Sequence, residues 1–104
     1  MEFTKRQKLE AAGWKVGTVA ELLELTPEEE AIVEIRVALS KSLKRMRQQE
    51  QLSQQKLAEK TNSSQSRVAR MEAADRSVSI DLLIKSLLSL GATREDIAAA
   101  ISGN

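Results

Sequence analysis

The stretch from Leu52 to Glu72, LSQQKLAEKTNSSQSRVARME, constrains the fold more than any other part of the chain. Its apolar positions, Leu57, Ala58, Val68 and Met71, fall at two separate helical spacings rather than along one continuous face. Between them, Thr61-Asn62-Ser63-Ser64 interrupts the periodicity. Asn62 is one of the few non-glycine types that sits comfortably at positive φ, as a sharp turn between helices requires. Ser53 stands where the first helix needs a cap for an orphan amide, and Ser63 or Ser64 where the second does. The pattern predicts two short helices joined by a tight turn. The second is polar on its outer face, with Gln65, Ser66, Arg67 and Arg70, which makes a helix-turn-helix.

The rest of the composition agrees with an all-α chain. Phe3 and Trp14 are the only aromatic residues, so Leu, Ile, Val and Ala must fill the interior, which suits helices packing on helices. One proline, few glycines and no alternating apolar pattern argue against strands. At 104 residues the chain is long enough for one domain with a modest core. Cysteine and histidine are both missing, which excludes disulfides, thiolate or imidazole metal sites and the commonest nucleophiles and bases. No serine or carboxylate is set in a recognisable catalytic spacing. The expectation is therefore no enzyme, no metal and no cofactor. No apolar run is long enough to cross a membrane and no signal peptide is visible, which predicts a cytoplasmic protein.

Before the central stretch, residues 1–13 read as a short amphipathic helix opened by a Thr4–Gln7 capping box and ended by Gly13. Trp14 should anchor a brief irregular link, to the body of the chain or to a partner. Thr18 and Glu21 open a second helix through Leu25, with more apolar surface than it can bury alone. Thr26-Pro27-Glu28-Glu29 is the clearest start signal in the chain. Threonine caps, proline takes the first helical position, and the acidic side chains meet the positive helix end. That helix should run to about Gln49, roughly 35 Å at 1.5 Å per residue, with Ile32, Ile35, Leu39, Leu43 and Met46 as one stripe. Its first half should pack on residues 18–25, on a second subunit, or on both. After a loop from Ala73 to Val78, Ser79 caps a helix with Ile80, Leu83, Ile84, Leu87 and Leu88 facing the core, ended by Gly91. Thr93 with Asp96 opens a last helix with Ile97, Ala98 and Ile101 facing inward.

Net charge is only +1, but it is unevenly placed. Residues 41–76 hold nine cations (Lys41, Lys44, Arg45, Arg47, Lys56, Lys60, Arg67, Arg70 and Arg76) against four anions. Residues 10–34 hold seven glutamates against Lys15 alone. Charged runs are usually solvated helix faces. Here the basic block coincides with the helix-turn-helix, which favours a phosphate-binding surface.

Leu52-Ser53-Gln54, Leu57-Ala58, Ser64-Gln65-Ser66 and Glu72 together resemble the Xre and phage-repressor class of helix-turn-helix proteins. The likeness runs from about Arg36 to Gly91 or beyond. It implies a repressor-like five-helix domain over 27–104, with residues 1–26 a helical extension packed on it as one unit. It further implies a transcriptional repressor that inserts the helix from about Ser64 to Ala73 into the major groove of double-stranded DNA. Position by position, Gln65, Ser66 and Arg70 match base-contacting residues, Arg67 flanks them, and Gln54 matches a phosphate-gripping glutamine. Lys41, Lys44 and Lys56 are further candidate phosphate contacts. Arg47 and Glu72 match a structural ion pair that ties the first helix to the end of the recognition helix. Such proteins bind palindromic operators as homodimers.

The acidic extension and the long helix after it resemble antitoxins of the HigA class, which repress their own operon and neutralise an RNA-cleaving toxin. An acidic end could meet a small basic toxin while the basic end meets DNA. A stand-alone repressor and an all-helical protein-binding module are the competing readings. The chain departs from the family pattern in having Asn62 in the turn, Gln51 between the first two helices, and Ala73-Ala74-Asp75 without the usual glycine. The last departure implies a longer recognition helix.

Overall fold

A computed structural model describes residues 24–103. The expected helix over 1–13, the anchoring role of Trp14 and all of the expected 18–25 helix except Glu24 and Leu25 lie outside the described residues, and those two residues are not helical. Among those described there are five helices and no strand: α1 (Pro27–Gln49), α2 (Gln54–Lys60), α3 (Gln65–Glu72), α4 (Ile80–Ser89) and α5 (Arg94–Ser102). The chain divides between Glu34 and Ile35 into two units, and α1 runs through the boundary.

Each helix starts on a hydroxyl cap. Thr26 Oγ1 accepts from the Glu29 amide, and the Glu29 carboxylate accepts from the Thr26 amide, closing a capping box ahead of Pro27. Ser53, Ser64 and Ser79 accept from the amides of Lys56, Arg67 and Leu82 at 3.1 Å. Thr93 and Asp96 form a second reciprocal box, and the Asp96 carboxyl pKa is lowered first by the Thr93 amide that donates to it and then by the Thr93 hydroxyl. Asp75 is held low in the same way, by the hydroxyl and amide of Ser77.

The helix ends are equally regular. After α1, α2, α3 and α4 the chain turns through one left-handed residue: Gln51 (φ 57), Asn62 (φ 53), Ala74 (φ 56) and Gly91 (φ 100). In each case the next amide reaches back five residues, from Leu52 to Arg47, Ser63 to Ala58, Asp75 to Arg70 and Ala92 to Leu87. A bond reaching back three residues from the left-handed residue itself closes the same turn. This is the Schellman arrangement four times over, with glycine used only once. It also overturns the expectation of a longer recognition helix. The missing glycine does not extend α3, because Ala74 adopts the left-handed conformation in its place and two hydrogen bonds hold it there.

The core of the unit from Ile35 onward is aliphatic. Leu39 and Leu43 of α1 meet Leu57 and Ala58 of α2, Val68 and Met71 of α3, and Leu83 and Leu87 of α4, all essentially without solvent exposure. Val78, Leu90, Ala92 and Ile97 close it. Arg36 Nε donates to the Val78 carbonyl at 3.2 Å, fixing the loop ahead of α4. Ser86 Oγ meets Met71 Sδ at 3.4 Å, whereas the buried Ser40 hydroxyl has no hydrogen-bond partner.

Three apolar assignments differ from the sequence expectation. On α5 the inward pair is Ile97 with Ala100, three residues apart, so Ala98 is exposed and Ile101 is 42% exposed. Leu88 is also exposed, at the margin of a stripe centred on Leu83 and Leu87. On the first half of α1, Ile32 is exposed in the single chain, and the cover expected from residues 18–25 or a second subunit lies outside what the described residues show.

Candidate nucleic-acid interface

α3 is only eight residues long, too short to persist as a helix in isolation, so tertiary contacts must set its position. Val68 and Met71 bury one side completely. The other side carries Gln65, Ser66, Arg67 and Arg70, all exposed. Ser66 and Arg70 lie one turn apart on the same face, with Gln65 beside them at the start of the helix. The Ser66 hydroxyl is 3.3 Å from that of the cap Ser64. This gives four polar side chains projecting from a helix whose first-turn amides face the same end.

Behind that face runs a chain of polar contacts. Arg47, near the end of α1, forms a two-pronged pair with Glu72 at the end of α3: Nε donates to Oε2, and Nη2 to Oε1 at 3.0 Å. The remaining prong, Nη1, donates to the Leu52 carbonyl at 2.8 Å, which pins the loop between α1 and α2. Both side chains are largely covered, with 13% and 4% exposure. The hydrogen bond to Glu72 raises the Arg47 pKa further above its already high ordinary value. A planar guanidinium suits this three-way role in a way a lysine ammonium does not.

Gln54 continues the chain. Its Nε2 donates to Glu72 Oε1 at 3.1 Å, and its Oε1 accepts from Gln65 Nε2 at 2.7 Å. Gln54 is thus half-buried and already engaged, with one amide hydrogen left over for an outside acceptor. The Gln54–Gln65 contact has no counterpart in the sequence reading. Two glutamines eleven positions apart give no local signal, and only the α2–α3 crossing brings them together. The Arg36–Val78 contact, 42 positions apart, gives no local signal either.

The candidate cations fall in different settings. Lys41 and Lys44 are exposed on α1, three residues apart and so on one side of the helix. Lys56 on α2 is exposed and 3.3 Å from Glu59, a surface pair of little energetic weight. Arg70 lies near enough to Asp75 for its charge to help lower that carboxyl group. Among the described residues no group of carboxylates is placed to hold a metal ion, and no helix is long and apolar enough to cross a membrane.

Neither a curated protein nor a solved structure matches this chain. A family model described as a helix-turn-helix domain matches residues 19–95, which takes in α1 through α4 and the start of α5. With most of its length inside that match, the chain belongs to the helix-turn-helix domain family.

Proposed function

We propose that the protein is a sequence-specific double-stranded DNA-binding repressor that lays α3 in the major groove. The observation that carries this reading is the division of α3. Val68 and Met71 are wholly buried, while Gln65, Ser66, Arg67 and Arg70 stand in solvent. A helix held by its apolar side and offering amide, hydroxyl and guanidinium groups outward matches the hydrogen-bonding edges of base pairs. With one N–H given to Gln54, Gln65 keeps one N–H and its carbonyl oxygen, the pair that matches adenine N7 and N6. Arg70 offers the two parallel donors that suit guanine. Gln54, with its spare N–H, and Lys41, Lys44 and Lys56 would hold phosphates, and Arg67 either a phosphate or a base. A face of this size makes few base contacts, so binding as a homodimer to a palindromic operator follows.

The test is selection of duplexes from a random library, followed by titration of the selected site at several salt concentrations. Affinity should fall steeply as salt rises, because phosphate contacts release counterions. Arg70→Ala should weaken the selected site by about 1–3 kcal/mol and relax preference at one base pair. Equal loss on random duplex would make Arg70 a phosphate contact. No salt-linked DNA affinity at all would leave a helical protein-binding module as the better reading.

A narrower reading makes the protein the antitoxin of a toxin–antitoxin pair that represses its own operon. Its support is the start of α1, where the exposed Glu28 and Glu29 stand one turn before the exposed Ile32 on the same side of the helix. An acidic and apolar face of that kind suits a small basic ribonuclease. Co-purification with the product of a small neighbouring gene supports it, and a protein that purifies alone and still represses is a stand-alone regulator.

A further inference from the structure

We infer that Glu72 acts as a positioning residue that sets which way the Gln54 and Gln65 amides face, and thereby which purine Gln65 prefers. The inference builds on the DNA-reading role proposed above for Gln65. Arg47 supplies only donors, so both Glu72 oxygens act as acceptors toward it. A carboxylate accepts and cannot donate, so Gln54 must turn its NH2 toward Glu72, as the 3.1 Å contact has it. That leaves the Gln54 oxygen facing Gln65, which must answer with an N–H, at 2.7 Å. Gln65 therefore presents one donor and one acceptor outward. These match adenine, whose major-groove edge offers N7 as acceptor and N6 as donor.

The opposite polarity has a definite consequence. Were Gln54 to present its NH2 to Gln65, the Gln65 oxygen would accept and both of its N–H groups would be left for the groove. Two donors match N7 and O6 of guanine, not adenine. The three side chains thus form a directional relay, and only the end fixed by a group unable to donate has its direction set. An amide at position 72 removes that constraint. It can accept from or donate to Gln54, and both directions of the relay become accessible.

The experiment compares wild type, Glu72→Gln and Arg47→Lys on duplexes that differ only by adenine or guanine at the position Gln65 reads. Wild type should favour adenine by about tenfold or more, within the range of a good bidentate contact. Glu72→Gln should bring the adenine-to-guanine ratio close to one. Arg47→Lys keeps a donor-only cation on Glu72, so it should lower stability and leave the ratio unchanged. A Glu72→Gln protein that binds both duplexes more weakly at the wild-type ratio overturns the inference and leaves the DNA reading standing. A shift of the ratio in Arg47→Lys overturns it as well, because loosening α3 would then suffice. If wild type selects no sequence, the DNA reading falls and the base preference with it. Side-chain amide NMR of the free protein separates these cases. The Gln54 and Gln65 carboxamide protons should carry hydrogen-bond shifts in wild type and Arg47→Lys that move in Glu72→Gln, and unmoved resonances would refute the relay itself.

Discussion

Gln51 closes α1 at φ 57 with its side chain in solvent, and replacing it with glycine should stabilise the protein. The left-handed region costs a residue bearing a Cβ about 1–2 kcal/mol. Glycine relieves that strain but widens the unfolded ensemble, an opposing effect of about 0.4–1 kcal/mol. The Gln51 side chain is exposed, so its removal forfeits little packing. The Schellman bonds from the amides of Gln51 and Leu52 are backbone bonds and survive the change. The net gain is about 0.5–1 kcal/mol, which for a domain of this size raises Tm by about 3–6 °C. Gly91→Ala is the mirror experiment. Its φ is 100 and an added Cβ would meet nothing within 4 Å, so any loss is conformational rather than steric, and it should be about 1 kcal/mol or more. Urea and thermal denaturation of both variants, followed by circular dichroism at a common pH, measure the pair. Gln51→Gly no more stable than wild type, or Gly91→Ala indistinguishable from it, would refute the idea that these helix exits carry left-handed strain.

Other substitutions probe the interior and the caps. Ser40→Ala should stabilise by about 1 kcal/mol in the same denaturation assay, because it removes a buried hydroxyl that has no partner. Leu43→Ala empties a fully buried position at the centre of the core and should cost about 3–5 kcal/mol, a large part of the stability of a small domain. Asp96 and Asp75 have lowered pKa values, so the stability they add is present above the ordinary carboxylate range near pH 4 and is lost as pH falls through their own values. Thr93→Ala keeps the amide that lowers Asp96 most and removes only the hydroxyl, so the Asp96 titration, followed by NMR, should move only part of the way toward the ordinary range.

What could be read from the sequence was mostly local. Thr26, Ser53, Ser79 and Thr93 announce helix starts because a cap acts on an amide three residues away, within one glance along the chain. Asn62 announces the turn because its residue type tolerates the backbone angle. Gln51 and Ala74 announce nothing, since neither side chain favours φ near 57, and hydrogen bonds made elsewhere hold them there. In the sequence Ile101 reads as inward because a larger apolar side chain four residues from Ile97 outranks Ala100 at three. Periodicity gives the width of a helix face, not its centre, and the neighbour across the gap settles which residue enters. The Arg47–Glu72 pairing spans 25 positions and was suggested only by family resemblance. The Gln54–Gln65 contact had no signal of either kind.

The two ends of α3 are held by different means, and this has consequences for how its exposed face can vary. At its start, the Ser64 cap and the Gln54 amide fix Gln65, while at its end Glu72, latched by Arg47, and the Ala74 turn fix the backbone beneath Arg70. Between them only Val68 and Met71 are buried. Exposed side chains at Arg67 and Arg70 can therefore change identity without touching the groups that hold the helix, whereas Ser66 meets the Ser64 cap. Under the proposed DNA-binding reading, base preference could drift at the two arginines at little cost in stability. Gln65 is different, because it is bonded to the scaffold as well as turned outward. Glu72 is the one group common to both ends, accepting from Arg47 and from Gln54 on the same oxygen. Losing its charge leaves the Arg47 guanidinium largely covered and unpaired, the costly way to break such a pair. If α3 reads bases as proposed, a substitution at Glu72 should therefore register in stability and in base preference together, whereas one at Arg70 should register mainly in DNA binding.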